Sequence, residues 1–295
     1  MLPATAIAPL FVVMWSTGFI GAKLGLPHAE PMTFLSLRFA LTVMALAVWV
    51  RLANAPWPSW RQTVDAALIG LLVHGVYLGG VFQAIAWGTE AGVSALIVGL
   101  QPVVTCLLAS RFLGERLSPV EKIGMLLGTA GVCLVVLRKL DAGIGDIWGV
   151  LLCIAALMAI SVASILQKTR AAQTPMRSGN LIQFAAAMLA TGALALVIET
   201  GDVTWTQEFI FALGWLVIVL SLGAVTLYYI LIQRGAASQV ASLFFLVPPS
   251  TAIIAWLLFG EVMGVIEIAG LAVATLGVMM VNRPDFFRGR SARPS

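Results

Sequence analysis

The sequence predicts an all-α polytopic membrane protein of ten transmembrane helices, arranged as two inverted five-helix repeats with both termini cytoplasmic. Three observations carry that reading. Of the 295 residues, 60% are hydrophobic and 10% charged, with a mean hydropathy of +1.01. Apolar runs of membrane length recur from end to end. The second half of the chain also repeats the first.

Composition settles the class. Soluble domains carry about 25% charged and about 45–50% apolar residues. Much of any folded surface stays exposed, so a water-soluble fold of this size has nowhere to hide this much apolar area. The same numbers exclude a disordered chain, and three cysteines are too few for a disulfide scaffold. Cys106, Cys133 and Cys153 lie inside apolar runs without C-x-x-C spacing, which reads as buried thiols with no redox or metal site. The net charge is +4 and the pI near 9.3. The 17 basic residues sit at the ends of apolar runs, so they read as orientation signals and imply no nucleic-acid partner.

A bilayer core of about 30 Å needs about 20 apolar residues per helix. Such windows fall at 5–26, 33–52, 64–87, 92–112, 119–138, 146–167, 178–198, 209–233, 239–259 and 263–282. The first lacks the basic leader of a cleaved signal peptide and reads as a retained helix. Breakers mark the short connections: Pro27 and Pro31, Pro56 and Pro58, Gly92, Pro119, Gly143 and Gly145, Pro175, Gly201 and Gly235. No connection is long enough for a soluble catalytic module.

With the N-terminus inside, the cytoplasmic connections and ends hold thirteen of the 17 basic residues. Lys23, Arg138 and Lys139 fall outside, and Arg38 lies within helix 2. That asymmetry places both termini in the cytoplasm. The far side is acidic, with Glu30, Glu90, Asp141, Asp146, Glu199, Asp202 and Glu208.

Residues 95–135 shifted by 146 lie on 241–281 without a gap, with thirteen of 41 positions identical; chance at this composition gives about four. Pro102 matches Pro248, Gly114-Glu115 matches Gly260-Glu261, and Glu121 matches Glu267. A shift of 145 pairs Lys23 with Lys168 and Arg38 with Gln183. The repeats divide the chain at 1–140 and 141–295. Five helices per repeat turn the second copy upside down, the usual scaffold of alternating-access transporters with a site near the midplane.

These residues resemble the EamA-type carriers of the drug/metabolite transporter superfamily, with YddG-like amino-acid exporters as the nearest comparison. The resemblance rests on Trp15-Ser16-Thr17-Gly18-Phe19 with Lys23, on Arg38, and on the twin Pro-x11-Gly-Glu segments Pro102–Glu115 and Pro248–Glu261. It implies a central cavity lined by helices 1, 3, 4, 6, 8 and 9, with helices 5 and 10 peripheral. It also implies export of small metabolites, amino acids first, with proton-coupled efflux of lipophilic cations as the rival.

Polar and aromatic residues at mid-depth are the cavity candidates. They are Trp15, Ser16 and Phe19; His74, Tyr77, Gln83 and Trp87; Gln101; Ser161, Ser164 and Gln167; Tyr228 and Tyr229; Phe244 and Phe245. Pro102, Pro248 and Pro249 read as mid-helix prolines, serving either as hinges or as static kinks. Arg38 either holds a substrate carboxylate or snorkels outward to Glu30 or lipid phosphate. His74, the one histidine within a span, is either a proton relay or hydrogen-bonded core. Ser118-Pro119-Val120-Glu121 has the form of a capping box. Glu115 ties its turn to neighbouring amides or to Arg111 or Arg116. Gly124, Gly128 and Gly131, matched by Gly270, Ala274 and Gly277, give small faces for packing within the monomer or in a weak homodimer.

No Asp or Glu falls at mid-depth, which argues for facilitated movement or exchange, or for coupling through His74, Arg38 or a rim acid. There is no G-x-x-x-x-G-K-[ST] loop, H-E-x-x-H or D-x-x-x-D pattern, so neither an ATP-driven pump nor an intramembrane enzyme is indicated, and no cofactor or metal is expected. The expected partners are a small-molecule substrate and membrane lipid.

Overall fold

The structure, a computed structural model, describes residues 4–89, 94, 97–137, 147–235, 237–259 and 265–282. These fall into helices α1 (Ala4–Gly25), α2 (Pro31–Leu52), α3 (Trp60–Ala86), α4 (Gln101–Phe112) and α5 (Pro119–Leu137). After them come α6 (Ile147–Thr169), α7 (Met176–Ile198), α8 (Gln207–Arg234), a broken α9, and α10 (Val265–Asn282). α9 runs Ala237–Ser242, then a 3-10 turn Leu243–Leu246, then Val247–Phe259. By length and composition, α2, α3, α6, α7 and α8 can each cross a membrane. Among the described residues there is no strand, only an isolated bridge between Ala29 and Val203.

Local signals set the helix ends. Ser59 and Gln62 form a capping box at the start of α3, and Ser118 and Glu121 form the expected one at α5. Thr206 caps α8 by accepting the Phe209 amide at 3.1 Å. At the other end of α8, Lys168 Nζ donates to the carbonyls of Ile232 (3.0 Å) and Gly235 (2.5 Å), placing a cation on the negative helix terminus. Glu115 reaches further than its own turn. It accepts the Ala237 amide at 3.0 Å, joining the first repeat to the start of α9.

Helices pack in matched pairs. α2 lies on α7 and α5 on α10. α3 packs on α6 and α7, as α8 packs on α1 and α2; α4 meets α6, as α9 meets α1. The α5–α10 contact explains the small-residue stripes. A Cβ on Gly124 would meet the Gly277 carbonyl at 2.7 Å, and one on Gly277 would meet the Gly128 amide at 2.4 Å. Only glycine lets the backbones come this close. The two small faces therefore cover each other within one chain.

Two corrections concern the prolines. Pro102 is not mid-helix: the helix breaks at Leu100 (φ −78°, ψ −2°), and Pro102 sits in the first turn of α4, where its missing N–H has no bond to lose. In α9 the break is the 3-10 turn before Val247, so Pro248 and Pro249 likewise fall in a first turn. Their side chains, and those of Phe19, Lys23 and Glu267, lie outside the described residues, as do Glu90, Asp141, Asp146, Gly260 and Glu261.

Candidate substrate cavity

α3 and α8 each contain a π-helical stretch, at Leu71–Leu78 and Leu216–Ala224. The two segments start 145 residues apart, at equivalent points of the repeat. A π segment re-aims side chains relative to an α-helix and is uncommon outside functional regions. Between these segments and α1 and α2 lies a cavity bounded by Trp15, Arg38, His74, Tyr77, Val81, Phe82, Leu220 and Val225. It reaches Ala22 and Ile85, toward the ends of α1 and α3 where Glu30 and Glu199 lie.

Four of the sequence candidates meet here: Trp15, His74, Tyr77 and Arg38. His74 is fully buried and sandwiched between aromatic rings, 4.1 Å from Phe184 in a stacked pair and 5.8 Å from Phe39. Neither ring nitrogen has a hydrogen-bond partner. The hydrogen-bonded-core alternative for His74 is therefore not what the structure shows. Arg38 is also buried. Its Nε donates to Ser221 Oγ at 3.0 Å, and its guanidinium carbon stands 5.8 Å from the Phe39 ring centre. It does not snorkel. Glu30, the acid expected to receive it, instead accepts from the Thr200 amide and hydroxyl and the Gly201 amide. Glu199 reciprocates by accepting the Met32 and Thr33 amides, each at 2.7 Å, across the N-terminus of α2.

Among the described side chains, the remaining candidates are not in this lining, and the side chains of Phe19, Pro248 and Pro249 lie outside the described residues. Tyr228 and Phe244 form an aromatic cluster with Phe11 and Trp15, with ring centres 5.2–6.0 Å apart. Tyr228 also meets Ser164 at 2.5 Å. Tyr229 donates to Gln183 Oε1, and Gln183 Nε2 donates to Gln167 Oε1 at 3.2 Å, so both Tyr229 and Gln167 are occupied. Ser16 Oγ donates to the Val12 carbonyl at 2.7 Å and lies 3.3 Å from that of Val247, and its own carbonyl accepts from Thr251, which ties α1 to α9. Phe245 packs where a Gly128 side chain would otherwise stand. Trp87 is exposed. Gln83, Gln101 and Ser161 keep unpartnered polar atoms away from the cavity. Among the described lining residues, α2 contributes Arg38 beside α1, α3 and α8. Sequence reasoning missed Phe184, Phe39 and Ser221, which hold His74 and Arg38. The repeat offered one signal, since Arg38 pairs with Gln183, directly before Phe184.

Comparisons with known proteins agree with this architecture. The sequence profile described as the EamA-like transporter family matches residues 3–137 and again 147–283. The chain is 25% identical to the uncharacterized inner membrane transporter YedA of Escherichia coli (strain K12), over 94% of this chain and 89% of that protein. It is 26% identical to a probable amino-acid metabolite efflux pump of Salmonella typhimurium (strain LT2), over 98% and 97% respectively. A solved crystal structure superposes with a TM-score of 0.81 at 20% identity, covering 98% of this chain and 99% of that one.

Proposed function

The chain belongs to the EamA-like transporter family, and from that premise we propose that it exports small metabolites, amino acids foremost, by alternating access through the cavity between α1, α2, α3 and α8. It is a multi-pass inner-membrane protein. In this reading ten helices span the membrane in two inverted halves, with both termini cytoplasmic. The amino-acid preference draws on the Salmonella relative named as an efflux pump for amino-acid metabolites. The single observation that carries the site is the pairing of Arg38 with His74, two buried polar side chains whose bonding capacity is left open in one apolar cavity.

The packing supports the following cycle. The aromatic cluster of Phe11, Trp15, Tyr228 and Phe244 closes the chamber on the side proposed as cytoplasmic. The Glu115 bond to Ala237 and the Lys168 cap of α8 lie at that same end. Releasing this side and closing the other needs α4 and α9 to tilt at their breaks beside Pro102 and Pro248, which makes these the hinges. A cation cargo is disfavoured because the cavity already holds a buried guanidinium and, among the described residues, no carboxylate lines it. The substrate and lipid are the partners, and a monomer suffices because α5 and α10 already cover each other's small faces.

The test is flux in proteoliposomes holding the purified chain, preloaded in turn with amino acids, nucleobases and cationic dyes, with and without a pH gradient. Saturable amino-acid movement indifferent to the gradient is the expected result. Movement of cations alone, or only against entering protons, overturns it.

A further inference from the structure

Among the described residues Arg38 is a cation without a counterion. Only its Nε is bonded, to Ser221; its two Nη nitrogens have no hydrogen-bond partner among the described residues. The described acids at the start of α2 and the end of α7 are bonded elsewhere, Glu30 to Thr200 and Gly201, and Glu199 to Met32 and Thr33. Burying an unpaired charge is costly, and a fold keeps one when something else completes it. Arg38 lines the cavity, and the two Nη groups of a guanidinium match the two oxygens of a carboxylate. A second observation points the same way: His74, fully buried on the same cavity, has both nitrogens unpartnered. The remaining walls, including Val81, Phe82, Leu220 and Val225, are apolar.

Resting on the carrier reading above, we propose that the cavity recognises its cargo by a carboxylate docked on Arg38, with an apolar body against Val81, Phe82, Leu220 and Val225. The cargo's amine is not a determinant. Among the described lining residues no acid faces an ammonium group; His74, Tyr77 and Trp15 offer polar atoms and ring faces of no fixed negative charge. A plain hydrophobic carboxylate therefore binds at least as well as the matching zwitterion. The same solute stripped of its carboxylate binds far worse.

Three probes separate these terms on the purified full chain by thermal stabilisation: L-phenylalanine, 3-phenylpropanoate (no amine) and 2-phenylethylamine (no carboxylate). The expected order is 3-phenylpropanoate at least equal to L-phenylalanine, with 2-phenylethylamine giving no shift. Arg38→Gln should weaken 3-phenylpropanoate by about 10- to 100-fold, the loss of charge-assisted hydrogen bonds. Arg38→Lys should recover part of that, as a point charge without the fork. The order on the unmodified chain decides the matter even where a variant fails to fold. An amine that binds better than the carboxylate, no binding of 3-phenylpropanoate, or unaltered carboxylate binding in a folded Arg38→Gln each overturns the proposal. Flux on the same preparation keeps the two readings apart. Saturable movement of any solute without carboxylate selectivity sinks this inference and leaves the carrier standing, whereas no flux across the whole panel sinks the carrier itself.

Discussion

Arg38 on α2 packs against the π-helical turn of α8, and Gln183, 145 residues later on α7, packs against the start of the π-helical turn of α3 at Gly70. The two places are built from equivalent helices, yet their chemistry is opposite. Around Gln183 the polar groups satisfy one another: Tyr229 donates to its carbonyl, and its amide donates to Gln167. Around Arg38 and His74 they do not, and a cavity fills the space where partners would stand. One frame thus supplies a closed polar network in the second repeat and an open one in the first. A satisfied network contributes rigidity, whereas an unsatisfied one is a cost that a bound solute can relieve. The asymmetry, more than the shared architecture, favours the cavity at Arg38 as the proposed transport site.

Exchanging the two residues tests this most severely. Gln183→Arg puts a cation where a neutral amide stood, removes the oxygen that accepts from the Tyr229 hydroxyl, and leaves only the neutral Gln167 oxygen to receive the charge. An uncompensated buried charge costs about 3–5 kcal/mol, so this variant should elute from size exclusion as aggregate or melt well below the parent. Arg38→Gln should do the reverse, keeping or raising the melting temperature while transport is lost. Equal tolerance of both changes would break the comparison.

Much of this frame was legible in the sequence, and the reason is physical. Lipid demands long apolar runs with every backbone group satisfied internally, so helix placement follows from hydropathy. The α5–α10 contact was foreshadowed by Gly124, Gly128 and Gly131 against Gly270, Ala274 and Gly277, since close approach needs small residues. The site was less legible. Tyr228, Tyr229, Ser164 and Gln167 have the side chains of a binding site, and only their mutual hydrogen bonds reveal them as occupied. For Arg38 the sequence leaves carboxylate binding and snorkelling open, because position along a helix gives depth but not facing. Nothing in local sequence announces the π-helical turns that aim His74 and Ser221, because they depend on the helices packed against them.

The closed network can also be loosened one atom at a time. Tyr229→Phe removes the hydroxyl that donates to Gln183 and leaves a buried carbonyl unpaired, a cost of about 1–3 kcal/mol. Ser164→Ala should cost about 1 kcal/mol. Ser164 already donates to the Ile160 carbonyl, so Tyr228 is the donor between the two hydroxyls and loses its acceptor. Thermal unfolding in one detergent ranks both, and a neutral Tyr229→Phe would mean the second repeat is no more locked than the first.

His74→Phe should have the smallest effect on stability and a large one on function. A histidine buried in a hydrogen-bonded core would leave its partners stranded when replaced. This one has none to strand, for both nitrogens are unpartnered and its ring is stacked on Phe184 and set against Phe39. Phenylalanine offers a ring of similar width to the same two neighbours, and an aromatic pair contributes about 0.5–1.5 kcal/mol beyond area burial. The variant's melting temperature should therefore match or slightly exceed the parent's, while saturable flux falls because the cavity has lost two polar atoms. A marked loss of stability would show that His74 is held by bonds and would return it to the core, leaving Arg38 alone to distinguish the first repeat from the second.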